Sequence, residues 1–370
     1  MNILALNWQD LKNPMSGGAE VHLEELLRRI ATKGHTVTLF CSNYAGGKSE
    51  ETVEGVHIIR AGNRYNFNLI APFHLRRLIK QNKYDLFLED INKIPFYTPF
   101  FLDLPTIVII PHLFSTAVFQ EINFILGSYI YLAEKPLTTV YRKKQFCVIS
   151  ESTAEDMIER GIPESQVEVI HCGIDSELYN NNAGYEKYEF PSVLYLGRIK
   201  KYKSVQHLIS AFEIIHEDLP NAKLTIVGAG DYTDELERQT AEYGLNDCVD
   251  FPGFVSSTQK VEYLCRSHVM VYPSLKEGWG LTNIEANSCG TAVVAARTPG
   301  LRDSVKDGYS GLLYEYGDVE SLAASTKNLL TDTEKRAKLE QGGLEWASRF
   351  NWDNAAAKFL ELCTRVAERA

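Results

Sequence analysis

Short apolar runs alternate with longer amphipathic ones along most of this chain, with polar turns between them. Residues 3–7, 37–42, 56–60, 85–89, 106–110, 146–150 and 167–171 are brief and rich in Val, Ile, Leu and Phe. That pattern predicts buried strands. Between them, residues 19–33, 68–82 and 152–160 carry apolar side chains at helical spacing. Strands separated by helices of this length predict βαβ units and a parallel sheet. Ser150-Glu151-Ser152-Thr153 supplies an N-cap for the third helix, and Glu155, three residues after Ser152, completes a capping box. The alternation stops at the polar stretch 179–189, which contains Asn180-Asn181-Asn182 and predicts a linker. It restarts at 193–197 and continues through 224–227, 269–272, 292–295 and 311–314. The fold class expected is therefore α/β, with two doubly wound Rossmann-like domains over 1–178 and 190–351. Ligands of such sheets bind beyond the carboxyl ends of the strands, so the site loops of both domains are expected to face one cleft.

The loop after strand 269–272 holds the strongest chemistry. It runs Glu277-Gly278-Trp279-Gly280-Leu281-Thr282-Asn283-Ile284-Glu285 and leads into a helix. Backbone N–H groups at Gly280, Leu281 and Thr282 point out of that helix N-terminus and make a cradle for phosphate. Glu285, one turn in, is placed to accept hydrogen bonds from a ribose, and Glu277 to reach hydroxyls on the far side of the phosphates. A Gly-x-Gly alone is an ordinary turn. Two carboxylates flanking one anion cradle suit a ligand rich in hydroxyls at both ends, as a nucleotide-sugar is. Arg198 ends the strand 193–197, and Lys203 follows five residues on. Together they can neutralise a diphosphate without a metal, the one as a planar fork and the other as a point charge.

Three further sites carry weaker signals. In Asn13-Pro14-Met15-Ser16-Gly17-Gly18-Ala19-Glu20, Gly17 and Gly18 let the backbone approach an anion, or simply make a turn. Glu20 either serves that site or favours the helix dipole. His112 follows an apolar strand at the mouth of the sheet, as a ligand contact or as a satisfied edge histidine. Gly228-Ala229-Gly230-Asp231 begins a dinucleotide fingerprint, but Thr233 stands where its third glycine belongs.

Composition narrows the partners. The net charge of −10 argues against general nucleic-acid binding. The 7 cysteines are scattered, with no Cys-x-x-Cys pair, and read as reduced core residues of a cytosolic protein. The N-terminus is too short and insufficiently basic for a signal peptide. No run reaches the ~18 apolar residues of a membrane span. No Asp-x-Asp or histidine cluster has metal-ligand spacing.

The spacing of Glu277 and Glu285 resembles the Glu-x7-Glu motif of retaining glycosyltransferases with the GT-B fold, in particular the large family 4. The other motifs follow in the family's order and cover nearly the whole chain. Gly197-Arg198 with Lys203 resembles Gly-Arg-x4-Lys, whose basic residues bind the donor pyrophosphate; Ser204 replaces the glycine that usually follows the lysine. Phe251-Pro252-Gly253-Phe254-Val255 resembles Phe-x-Gly-x-Val, which implies that backbone near Val255 binds the base. The resemblance further implies that Gly17 and Gly18 lie near the donor phosphate, that Gly228 and Gly230 border the nucleotide, and that His112 contacts the donor sugar. It implies that the segment 352–370 crosses back onto the first domain. Pro299-Gly300 and Asp303 depart from the family's Gly-Gly and Glu and read as structural.

The expectation is a metal-independent retaining transferase that needs no cofactor, the nucleotide-sugar being a substrate. A UDP-sugar is favoured over GDP-mannose, and the acceptor is a glycan, a lipid-linked glycan or a small hydroxyl compound. Rival readings are a sugar-nucleotide epimerase on the same architecture, a dinucleotide-dependent oxidoreductase and a non-catalytic nucleotide-sugar subunit. Cytoplasmic location is expected. Residues 67–80 have an apolar stripe and a basic flank, and Arg142-Lys143-Lys144 adds charge after an apolar segment. These keep open peripheral contact with the membrane face; an ordinary amphipathic helix with a solvated face is the alternative.

Overall fold

The computed structural model describes residues 1–113, 118–121, 123–182 and 184–369. The chain forms two compact units, one of residues 1–173 with the C-terminal segment from Trp352, the other Ile174–Asn351.

In the first unit, β1 (Asn2–Leu6), β2 (Thr36–Ser42), β3 (Glu50–Val53), β4 (Val56–Ala61), β5 (Leu86–Asp90), β6 (Thr106–Ile110), β7 (Gln145–Val148) and β8 (Val167–Val169) make one sheet. Their order is β3-β4-β2-β1-β5-β6-β7-β8. All neighbours are parallel except β3 and β4. Strand β3 was not expected, since Glu50-Glu51-Thr52-Val53 lacks an apolar run. It forms because Glu54 and Gly55, at φ 47° and 82°, make the tight hairpin turn that a right-twisted pair favours. Arg60 on β4 is buried and donates to Asp10 Oδ2 at 2.5 Å and to Oδ1 at 3.0 Å, which pins the loop after β1.

The helix Gly18–Thr32 buries Leu23, Leu26, Leu27 and Ile30 at helical spacing. The C-terminal helix Trp352–Glu368 packs against it, burying Trp352, Ala355, Ala356, Phe359, Leu362, Cys363 and Val366. An ion pair between Arg29 and Asp353 at 2.6 Å closes the contact. The helix expected near 152–160 runs Glu151–Glu159, and its N-cap is Ser150, whose hydroxyl accepts from the Thr153 N–H at 3.2 Å. The cap therefore lies two residues before Ser152, and Glu155 closes no capping box.

In the second unit, β9 (Ser192–Leu196), β10 (Lys223–Val227), β11 (Val249–Gly253), β12 (Val269–Tyr272), β13 (Ala292–Ala296) and β14 (Gly311–Tyr314) are all parallel, in the order β11-β10-β9-β12-β13-β14. This is the doubly wound order in which the chain reverses direction beside its first strand, and ligands favour that crevice. Strand β11 was not expected, because Asp250 and Pro252 interrupt its apolar pattern; it is an edge strand, where a proline is tolerated.

The division between units corrects the expected boundary. Residues 174–178 were expected in the first domain and 179–189 as the interdomain linker, yet their described residues belong to the second unit. Leu178 and Tyr179 pack on its core. The Lys187 ammonium donates to Ser267 O at 2.7 Å, Gly290 O at 3.0 Å and Thr291 Oγ1 at 2.9 Å. Arg266 lies over the Tyr188 ring, 4.4 Å from its centre. A polar composition hid this strap, because beyond Leu178 and Tyr179 it is held by polar contacts, chiefly those of Lys187.

Candidate functional site

In the second sheet the reversal point lies between β9 and β12, so the loops that follow those two strands meet there. The loop after β9 carries Arg198 and Lys203, and the loop after β12 carries Glu277 through Gly280. Lys203 sits in the short turn Lys201–Lys203 and is buried. Its Nζ lies 2.5 Å from Glu277 Oε1, and the rings of Tyr202 and Tyr272 stand 5.0 and 5.5 Å from it. Burial works against the ammonium charge, and Glu277 with the surrounding tyrosines outweighs it, holding the Lys203 pKa well above the ordinary lysine value. Arg198 is exposed at the mouth of the same loop.

The backbone at Ser204 accounts for the glycine of the motif it resembles, and the serine hydroxyl adds a contact of its own. Ser204 adopts φ 56° and ψ 31°, a left-handed conformation that glycine takes without cost. Its hydroxyl pairs with the Tyr316 hydroxyl at 2.9 Å.

Four glycines around this crevice, Gly228, Gly230, Gly280 and Gly300, leave no room for a side chain. A Cβ on Gly228 lies 1.9 Å from Gly197 O, and one on Gly230 lies 1.7 Å from Ile199 O. The loop after β10 therefore presses directly on the loop that carries Arg198, and the Ile199 N–H donates to Ala229 O at 3.1 Å. Gly300 approaches Glu277 in the same way, with its Cβ position 2.3 Å from Glu277 O, and the Glu277 N–H donates to Pro299 O at 3.2 Å. Pro299-Gly300 thus supports the Glu277 loop from behind. Gly280 caps the helix Leu281–Ser288 at φ 84°; a side chain there meets Leu301, Ser304 and Asn283. Asn283 N–H bonds back to Gly280 O at 2.9 Å. The N–H groups of Leu281 and Thr282 belong to the first turn, which has no intrahelical acceptors. Gly278 is half-buried between Glu277 and the buried Trp279.

Glu285 is buried on that helix, with Lys260 Nζ 2.7 Å from its Oε2. Lys260 also lies over the Tyr179 ring at 4.9 Å. Burial opposes the Lys260 charge, but Glu285 and Tyr179 hold its pKa above the ordinary value. Lys260 belongs to the helix Ser257–Arg266, which follows β11, so this contact ties the β11 end of the site to the helix that carries Glu285. Val255 is half-buried just beyond β11, and Phe254 beside it is 90% exposed. Lys260 was missed in the sequence: a lysine on a polar helix carries no motif.

The first sheet reverses between β1 and β5, and its crevice is built differently. Gly17 caps the helix Gly18–Thr32, and its N–H donates to Glu20 Oε2 at 2.7 Å. That N–H is therefore taken by the protein itself: Glu20 makes the carboxylate half of a capping box, and Gly17 has no side chain to supply the other half. The other Glu20 oxygen accepts from Asn92 Nδ2 at 3.0 Å, and the same amide reaches Asn7 Oδ1 at 3.0 Å. Gly18 has nothing within 4 Å of its Cβ position. Asp90, at the end of β5, is fully buried with no hydrogen-bond partner for either oxygen among the described residues. Burial raises its pKa well above the usual carboxylate range, Glu20 adding to the effect and Lys93 opposing it. His112 lies half-buried just past β6. Asp90, Asn7 and Asn92 were not singled out in the sequence, where they sit at strand ends without spacing that marks them. Among the described residues no group of three or more His, Cys, Asp or Glu is placed to hold a metal, and no helix is long and apolar enough to cross a membrane.

A parallel sheet reversing beside a buried ammonium paired with a carboxylate, a guanidinium and a helix N-terminus makes a crevice whose charge suits an anion. The whole chain superposes on the sucrose-phosphate synthase of Thermosynechococcus elongatus with a TM-score of 0.81 at 20% identity, covering 100% of both chains. The fold is that of the GT-B glycosyltransferases. The family description "Glycosyltransferase Family 4" matches residues 16–178, and "Glycosyl transferases group 1" matches residues 181–346. The chain belongs to the family 4 glycosyltransferases. A glycosyltransferase of Methanocaldococcus jannaschii is 27% identical over 98% of this chain and 97% of its own length. The D-inositol 3-phosphate glycosyltransferase of Thermobispora bispora is 29% identical over 56% of this chain; that match spans 52% of the relative, about half its length.

Proposed function

We propose that this chain transfers a sugar, with retention of anomeric configuration and without a metal, from a nucleoside diphosphate donor to a hydroxyl acceptor. The observation that carries the reading is the buried Lys203–Glu277 pair at the reversal point of the second sheet, beside the helix N-terminus at Leu281. Arg198, Lys203 and the N–H groups of Leu281 and Thr282 receive the diphosphate. Glu285, oriented by Lys260, holds the ribose, and Glu277 holds sugar hydroxyls. As the bond from the anomeric carbon to the diphosphate oxygen breaks, its electron pair goes to that oxygen, where fixed positive charge is worth more than in water. The acceptor oxygen attacks from the face the diphosphate leaves and passes its proton to a phosphate oxygen. His112 steadies the sugar ring as positive charge develops.

A UDP-sugar is the favoured donor and GDP-mannose the alternative. The base rests on backbone near Val255, so side chains distinguish the two weakly. The acceptor is a glycan, a lipid-linked glycan or a small polyol. The relative from Thermobispora bispora, named for an inositol phosphate, supports the last as a first acceptor to try. The test incubates the protein with UDP-glucose, UDP-N-acetylglucosamine or GDP-mannose and a panel of hydroxyl acceptors, and follows the anomeric proton by NMR. An axial product from an axial donor, unaffected by EDTA, is expected. An inverted product, or activity abolished by EDTA and restored by Mg²⁺, contradicts the mechanism. Isomerised donor without transfer supports the epimerase reading instead.

A further inference from the structure

Charge is segregated in the first unit. Between Ala61 and Tyr84 the sequence has five basic residues (Arg64, Arg76, Arg77, Lys80 and Lys83) and no acidic one, in a chain of net charge −10. From Asn123 to Val148 it has Lys135, Arg142, Lys143 and Lys144 against a single acid, Glu134, which is buried. Both segments also expose large apolar side chains. On the helix Phe67–Gln81, Phe67, Ala71 and Leu75 face the core, while the opposite side presents Leu69 and Phe73, the latter 70% exposed. One turn further along that outer side come Arg76, Arg77 and Lys80. Phe73, Arg76, Arg77 and Lys80 line a shallow groove of about 400 Å³. On the helix Phe124–Glu134, Phe124, Ile125, Leu126, Tyr129 and Leu132 are all exposed.

The two faces are joined. Arg76 lies over the Phe101 ring at 5.4 Å. Its neighbour Phe100, 74% exposed, contacts Tyr97 with ring centres 6.2 Å apart. The Tyr97 hydroxyl donates to Ala133 O on the second helix. An exposed aromatic thus stands between two exposed apolar helices, with exposed Lys135, Arg142 and Lys143 beyond.

We infer that the first unit docks on an anionic lipid bilayer through this surface, made by the outer faces of Phe67–Gln81 and Phe124–Glu134 and the turn at Phe100. The pairing of chemistries selects the occupant. Exposed Leu, Ile and Phe gain from entering the acyl boundary, and the basic side chains beside them gain from anionic headgroups. The absence of exposed acidic residues in these segments removes the repulsion that holds the rest of an acidic protein off such a membrane. The inference rests on this surface and not on the donor chemistry proposed above.

The test is flotation of the full chain with vesicles of phosphatidylcholine containing roughly a third phosphatidylglycerol, against pure phosphatidylcholine. The protein is expected to float with the anionic vesicles and to release as salt is raised. Each basic side chain near such a surface contributes a factor of about five, so R76Q/R77Q/K80Q together should weaken binding about a hundredfold. L69S/F73S should weaken it by at least roughly tenfold through lost apolar insertion. Both variants change exposed residues outside the donor site, so unchanged melting temperature and unchanged stabilisation by nucleoside diphosphate are expected of them. Wild-type protein that stays at the bottom of the gradient overturns the proposal. So does equal flotation of wild type and both variants, or a self-associating wild type that both variants render monomeric without any vesicle binding.

Discussion

The two sheets reverse direction at equivalent places and arm those places differently. In the second unit the crevice is charged: a buried ammonium paired with a carboxylate, an exposed guanidinium and a helix N-terminus. In the first unit it is a network of amides around Glu20, with a carboxyl group, Asp90, that burial drives toward its neutral form. A doubly wound sheet therefore supplies the position of a site but not its chemistry. One crevice gathers fixed positive charge, the other side-chain amides around the Glu20 carboxylate beside the buried Asp90. The glycines show the same contrast: Gly228, Gly230 and Gly300 of the second crevice are fixed by backbone contact, whereas Gly18 in the first faces open space.

The largest effect is expected from breaking the ion pair. Glu277→Ala or Lys203→Ala should cut sugar transfer well over tenfold. Glu277→Ala should also destabilise the fold by about 3–5 kcal/mol, because it strands a buried ammonium. Removing both, as Lys203→Met with Glu277→Gln, should restore much of that stability and none of the activity. Denaturant titration of the singles and the double separates the two effects, and additive losses of stability speak against a coupled pair.

A smaller effect distinguishes the glycines. Gly228→Ala meets backbone oxygen and should cost about 2–4 kcal/mol. Gly18→Ala, at a helix start with room around it, should leave stability unchanged or raise it by up to about 1 kcal/mol. Equal melting temperatures for the two variants contradict the steric account.

The third effect lies in pH. Burial lowers the His22 pKa to about 4, from an ordinary value near 6.5. The folded chain refuses a proton that the unfolded chain accepts, so this residue's stability contribution is complete above pH ~6.5 and is lost as pH falls toward about 4. Over that window the wild type should lose about 3 kcal/mol relative to His22→Leu. Glu24, raised by burial to about 7, pulls the opposite way in both proteins. Parallel stability curves show that His22 is not held neutral.

Much of the architecture was legible because parallel strands buried on both faces leave short, nearly continuous apolar runs. What escaped was held by other means. Strand β3 depends on its turn, β11 on edge position, and the strap 174–189 on Lys187 and its three oxygen acceptors. The site was legible where spacing encodes geometry. Arg198 with Lys203, and Glu277 with Glu285, each bracket one loop at a sheet crevice. Lys260 and Asp90 were not legible, since their significance lies in contacts between distant segments. The tie between Gly17 and Glu20 was half-visible: their three-residue spacing is that of the carboxylate half of a capping box, in which the Gly17 N–H donates to Glu20.

The most direct test of the central claim, that the charged crevice of the second sheet receives a nucleoside diphosphate, is a melting-temperature panel with UDP, GDP, ADP and NAD. A ligand at a hundredfold its Kd should stabilise the protein by about 2.7 kcal/mol. One nucleoside diphosphate should do so selectively, and the shift should vanish in Lys203→Met. Stabilisation by NAD alone, or by none of the four, would contradict the claim.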